Sequence, residues 1–308
     1  MALPEEFHDL ARKVNNWGRW GEDDERGTLN LVTPDVVRRA AACVRTGTAF
    51  SLAIPLSVDG PQTGAIPGRS NPVRTMLTVN EPFTGDPSEI SISDDVVFMG
   101  LQAATHWDSL GHVSYDGRMY NGHPASSVTE QGAAYLGIDR VGTFVSRGVL
   151  LDVTRALGVP RLDPGYGITP GDLDSAERLA GVAVEPGDVV VLRTGHIQLL
   201  HEGRRREYGT PSPGPTMACA LWFHDRDVAA VATDNMTFEV YPGERKDCLL
   251  PVHLLDLVEM GMLQGQNFDL EELAADCEND GVYEFLLEAS PQPFVAGLGG
   301  PVNPVAVK

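Results

Sequence analysis

The stretch VEPGDVVVLRTG, residues 184–195, decides how this chain folds. Pro186-Gly187 marks a turn, and the β-branched run that follows, Val189 to Leu192, shows no polar alternation. A short run that is apolar on both faces suits a strand buried inside a sheet. VAAVATD (228–234) and GVLLDVT (148–154) have the same character. Helical patterns surround these runs. Thr33-Pro34 followed by DVVRRAAACVRTG supplies an N-cap, a first-turn proline, an amphipathic run and a closing Gly47. Thr169-Pro170 followed by GDLDSAERLAG repeats that grammar up to Gly181. TMACALWFHDR (216–226), HLLDLVEMG (253–261) and DLEELAADC (269–277) read as further helices. Strands and helices interleave, and some strands follow one another directly. The prediction is an α/β domain with a mixed sheet.

Composition sets the outer limits. The 308 residues are 42% hydrophobic and 21% charged, which is globular rather than disordered. No linker or repeat divides them, so a single domain over 1–308 is expected, with an N-terminal extension of about 50 residues. A formal net charge of −20 argues against nucleic acid and anionic membranes, which repel a polyanion. The expected partner is a small-molecule substrate. The four cysteines, Cys43, Cys219, Cys248 and Cys277, form no CxxC pair and fit buried thiols in a reducing compartment. The start, MALPEEFHDLARKVNNW, lacks the regions of a signal peptide, and no apolar run is long enough to span a bilayer. The expected location is the cytoplasm. Residues 58–72 and 199–216 read as loops; Arg204, Arg205 and Arg206 in the second are either an anion site or a solvated turn.

The chemistry concentrates in GLQAATHWDSLGHVSYDGRMYNGH, residues 100–123. If residues 102–112 are extended, Gln102, Ala104, His106, Asp108, Leu110 and His112 share one face. His106 and Asp108 then stand about 7 Å apart at Cα, within reach of one cation. Zinc and manganese accept both ligand types. The plainer alternative is a His-Asp hydrogen bond at a strand end. Other sites find no support: there is no GxSxG, no GxxxxGK[ST], no GxGxxG after a strand and no HExxH.

This stretch resembles the signature of the metal-dependent cyclase-like hydrolases, the family of kynurenine formamidase, isatin hydrolase and trans-dienelactone hydrolase. That signature runs His-x-Gly-Thr-His-x-Asp-x-Pro-x-His. Here Thr105, His106, Asp108 and His112 match it, while Gln102, Ala104 and Leu110 replace the first histidine, the glycine and the proline. EPGDVVVLRTG, VAAVATDNMTFE and PVHLLDLVEMGMLQGQNFDLEEL resemble later family segments, as do NNWGRWGEDDERGTLN and GGPVNPVAV of the longer members. In the third of these, His253 matches a family histidine and Gln266 stands where the family has a metal-binding glutamate.

The resemblance implies a barrel-like mixed sheet of the swivelling β/β/α type, flanked by helices, and a homodimer or homotetramer. It implies a metal site built from His106, Asp108 and His253, with Gln102 and Gln266 as weak contributors. Glutamine is a neutral donor, and two dications held close need anionic ligands between them. One divalent ion, Mn²⁺ or Zn²⁺, is therefore expected. His112 resembles the family's acid/base histidine. Trp17, Trp107, Tyr120, Asn121 and Asp234 are candidate substrate-binding residues; each tryptophan is equally a core residue, and Asp234 also suits a turn cap or the orientation of a histidine. The implied activity is hydrolysis of a cyclic amide, imide or lactone, or of an aryl formamide, by a metal-activated water. Two alternatives stand beside it: a binding protein with a decayed metal site, and a lyase or cyclase.

Overall fold

The computed structural model describes residues 3–308. Met1 and Ala2, the start of the stretch read for a leader, lie outside the described residues. A nine-stranded sheet organises the chain. Its strands are β1 (Ala49–Ser51), β2 (His106–Asp108), β3 (Val145–Asp152), β4 (Val189–Arg193), β5 (Ala230–Thr233), β6 (Leu263–Gln266), β7 (Glu284–Glu288), β8 (Gly299–Pro301) and β9 (Val305–Val307). Their spatial order is β1-β9-β7-β3-β4-β5-β6-β2-β8, curled into a half-barrel. The four central strands, β3 to β6, run parallel, and antiparallel strands extend both sides. The sheet is mixed, as the interleaved pattern predicts.

Parallel neighbours require crossover connections, usually helical. The chain supplies α3 (Pro170–Ala180) between β3 and β4, and α4 (Cys219–Asp225) between β4 and β5. A π-helix, Leu254–Met260, precedes β6. The N-terminal helices α1 (Glu5–Val14) and α2 (Pro34–Ala42) and the later α5 (Glu271–Asp280) complete the cover. Side-chain alternation divides the core in two. Val149, Leu151, Val190, Leu192 and Val231 point to the layer made by α1, α3 and α4. Leu150, Val189, Val191, Ala230 and Ala232 point the other way, against Trp107, Phe268, Phe285 and α5.

Several boundaries differ from the sequence pattern. α2 ends at Ala42, before Gly47, because the Cys43 N–H turns back to Ala40 and Ala41 and tightens the last turn. Residues 253–261 are mostly the π-helix rather than a regular helix, with Leu255 to Met260 all buried. Residues 199–216 contain two short helices, the end of Gln198–His201 and Arg205–Gly209, where a loop is predicted. Their arginines face solvent and local acids: Arg204 pairs with Glu202 and Glu207, and Arg205 with Asp59. Residues 58–72 carry no helix or strand. They lead into a two-stranded ribbon, Val73–Met76 with Asp95–Phe98, exposed at all eight positions. All four cysteines are buried and free. Among the described residues no helix is long and apolar enough to cross a membrane.

Candidate active site

Sheet register builds the site. In β5 and β6, Val231 faces Gln264 and Ala232 faces Gly265. The next pairing sets Gln264 against Asp108, Gly265 against Trp107 and Gln266 against His106. Residues directly opposite in a ladder share a face. One face thus carries Gln264, Gln266, Asp108 and His106, continuing the face of Val190 and Val231. The other receives Trp107, whose indole packs on Phe144 and Phe268 and donates to the Ala289 carbonyl. Trp107 is a core residue, on the wrong side of the sheet to touch a ligand. Gly265 makes room for it: a Cβ there would come within 2.8 Å of the indole and of Phe268.

The extended stretch is shorter than the alternation argument requires. Only His106–Asp108 pairs as a strand. Gln102 lies in a turn that the Ala103 N–H closes to Gly100, and its side chain lies over Gly299, the cross-strand partner of Asp108. It makes no hydrogen bond to the site among the described residues. His112 arrives through a second turn, closed by its own N–H to the Ser109 carbonyl. That turn brings the His112 Nε2 to 3.8 Å from Asp108 Oδ1. Thr105 anchors the start of the strand, donating to the Asn267 carbonyl and accepting from the Ile54 N–H.

At the centre, His106 Nδ1 donates to the Ala104 carbonyl at 2.7 Å. In the neutral ring, Nε2 therefore keeps a lone pair. That atom and Asp108 Oδ1 stand 3.4 Å apart, both buried and both without a hydrogen-bond partner. Two acceptors facing each other in the interior need a proton or a cation between them. Two ligands each about 2.1 Å from a tetrahedral ion stand about 3.4 Å apart, so the pair fits one ion. His253 approaches Asp108 from the far side of Gln266. Its Nδ1 is held by Glu239 Oε1 at 2.6 Å, which leaves Nε2 toward Gln266. Gln266 donates to the other Asp108 oxygen at 2.7 Å and lies 3.5 Å from His253 Nε2. The amide thus stands between histidine and carboxylate. Among the described residues no three His, Cys, Asp or Glu side chains stand ready together as a ligand group. The donor set offers one anionic oxygen and imidazole nitrogens, suited to a single Zn²⁺ or Mn²⁺.

Electrostatics follow from burial. Burial acts to raise the Asp108 carboxyl, but His112 and His106 hold it below the ordinary carboxylate range. Burial lowers the His112 imidazole and outweighs the opposing pull of Asp108, which favours the neutral form, the one able to accept a proton. Burial also acts to lower His253, but Glu239 overrides it and raises the group. A cavity of about 280 Å³ opens beside these groups, lined by His112, His253, Gln266 and Arg69 among mostly apolar residues.

The remaining candidates lie outside this cavity. Trp17 donates to the Val258 carbonyl and covers Gly122. Tyr120 is buried and donates to Asp24 at 3.0 Å. Asn121, at φ 56°, ties the 21–24 segment by accepting from the Gly18 N–H and donating to the carbonyls of Gly21 and Glu22. These three join the N-terminal segment to the body. Asp234 is fully buried and accepts from the Thr194 N–H and hydroxyl and the Gly195 N–H, capping the Arg-Thr-Gly turn after β4. Glu239 and Arg69 are absent from the sequence-derived candidates. Glu239 sits at the end of VAAVATDNMTFE, five residues past Asp234, and only the path of the chain shows which carboxylate meets His253.

A family model described as a putative cyclase matches residues 26–240. A crystal structure described as a novel cyclase is 39% identical, over 96% of this chain and 100% of that one, with a TM-score of 0.88. Isatin hydrolase A from Labrenzia aggregata, bound to benzyl benzoate, is 19% identical over 87% of this chain and 94% of its own, with a TM-score of 0.63. Isatin hydrolase A from Ralstonia solanacearum is 18% identical over 89% and 97%, with a TM-score of 0.64. These last two likenesses are of fold. No curated protein matches the chain.

Proposed function

The chain belongs to the putative cyclase family, and from that premise we propose that it is a metal-dependent hydrolase opening a cyclic amide, imide or lactone, or cleaving an aryl formamide. One observation carries the reading: the buried, unpartnered Nε2 of His106 and Oδ1 of Asp108 face each other at 3.4 Å beside a cavity. His106, Asp108 and His253 would hold a single Mn²⁺ or Zn²⁺, with Gln266 turning its amide oxygen inward as a weak ligand. Such an ion, when bound, supplies Lewis acidity to a carbonyl and acidifies water.

The chain's own residues do the rest. Glu239 fixes the tautomer and direction of His253. The Ala104 carbonyl does the same for His106. Neutral His112 takes the proton from the attacking water at Nε2 and returns it to the leaving nitrogen or oxygen. The apolar cavity wall excludes bulk water and strengthens these interactions. A homodimer or homotetramer belongs to the same reading, supported by the exposed apolar ribbon. A cytoplasmic location is supported by the four free cysteines.

Metal analysis tests the proposal. Purified protein is expected to carry about one Mn²⁺ or Zn²⁺ per chain, and His106→Ala to lose it while keeping its circular dichroism. A wild-type chain that takes up neither ion leaves the alternative, a binding protein with a decayed site. A metal-loaded chain that turns over no isatin, N-formylkynurenine or dienelactone shifts the reading to a lyase.

A further inference from the structure

Arg69 stands apart from its surroundings. It lines the cavity with His112, His253 and Gln266, and no aspartate or glutamate lines that cavity. Among the described residues its guanidinium makes no ion pair and no hydrogen bond. Asp108 acts on it only at a distance, one oxygen accepting from Gln266 and the other facing His106, and Glu239 is taken up by His253. This is a chain of net charge −20 with 43 acidic residues, so an arginine left without one is a matter of placement, not of supply. The placement is built. The Arg69 stem lies on Gly100, where an added Cβ would stand 3.2 Å from its Cγ, and the Gly100 N–H donates to the carbonyl of Ser70. Burial disfavours the charged form of Arg69, and the pull of Asp108 offsets that only in part. An anion entering the cavity would offset that cost.

We propose that Arg69 binds a carboxylate on the substrate, so that the molecule this site takes is a single-ring compound bearing an acid group besides the bond that is opened. The planar guanidinium presents paired N–H donors that match a carboxylate edge to edge. Ile66, Val113, Met236 and Leu249 supply apolar walls for the ring. The cavity, about 280 Å³, admits a molecule of that size and little more. Arg69 lies in the 58–72 segment, so the same segment that leads to the ribbon also selects the substrate. The inference rests on the hydrolase reading for the bond that is opened, but not for the binding of the acid group.

The test is calorimetric titration of the full chain, as purified, with benzoate and with neutral benzamide, metal content being measured on the same batch. Wild type is expected to bind benzoate at least about tenfold tighter than benzamide, the size of one charge-assisted contact. Arg69→Met is expected to weaken benzoate roughly ten- to a hundredfold and benzamide by less than about threefold. Arg69→Lys is expected to recover part of the preference. Equal binding of the two probes by wild type, or a benzoate preference that survives in Arg69→Met, overturns the proposal. A chain that prefers benzoate through Arg69 yet takes up no metal keeps the carboxylate site and removes the hydrolase reading. A metal-loaded chain without the preference does the reverse.

Discussion

Glu239 shows how a single residue sets the chemistry of its neighbours. Its carboxylate accepts from the Val252 N–H, the His253 N–H and the His253 ring, all within 3.0 Å. Backbone and ring are thereby locked together, and the free His253 nitrogen faces Gln266 at the cavity wall. Partners of this kind raise ligand basicity and remove the rotamer entropy of binding. Glu239→Gln keeps the size but loses the charge. It is expected to reduce Mn²⁺ or Zn²⁺ affinity about 10- to 100-fold, read by competition with a chelator, with little change in fold. An unchanged affinity would show that His253 does not bind the ion.

At the scale of elements, α3 is specified almost completely by local sequence. Thr169 accepts from the Asp172 N–H while Asp172 accepts from the Thr169 N–H, a reciprocal capping box with Pro170 in the first turn. Gly181 closes the helix at φ 66°, a left-handed conformation in which glycine carries no Cβ penalty. Leu173, Ala176 and Ala180 face the sheet. Thr169→Ala is expected to cost about 1 kcal/mol, measured by urea denaturation, without altering metal content. The π-helix is the opposite case. Its sequence has an ordinary apolar pattern, and nothing local announces the wider turn. The element carries His253 at its start and Asp256 within it, and Gln264 of β6 donates to Asp256. The geometry answers to partners across the fold.

In the whole molecule, the arm made by the ribbon and the hairpin beyond it, Glu81–Pro82 with Ser91–Ile92, carries apolar side chains without cover. Leu77, Val79, Phe83, Ile90 and Phe98, on the ribbon and the hairpin beyond it, are each more than half exposed. An isolated two-stranded ribbon is marginally stable in water. Val73, Met76, Val96 and Val97 are exposed beside them, so the arm offers a second copy apolar residues to cover. A second copy offers the same arm, as two-fold assemblies require. Sedimentation is expected to show at least a dimer, and the paired change Phe83→Asp with Phe98→Asp to shift it toward monomer. A wild-type monomer at micromolar concentration would reject the assembly.

Buried strands, capped helices and the His106–Asp108 pair were legible in the chain because each depends on neighbours within a few residues: β-branched runs, cap residues and side-chain alternation act locally. The likeness to a known family extended that reading to His112 and His253. The face of each side chain did not follow. Trp107 lies between His106 and Asp108 in sequence and on the opposite side of the sheet in space, because ladder register assigns alternate residues to alternate cores. Asp234 and Glu239 are two acids on one connection, and the course of that connection sends the first to a turn cap and the second to His253. The solitude of Arg69 is a property of its surroundings alone. Local interactions determined which elements form; which groups meet, and which charge is left without a partner, depended on contacts between residues far apart in the chain.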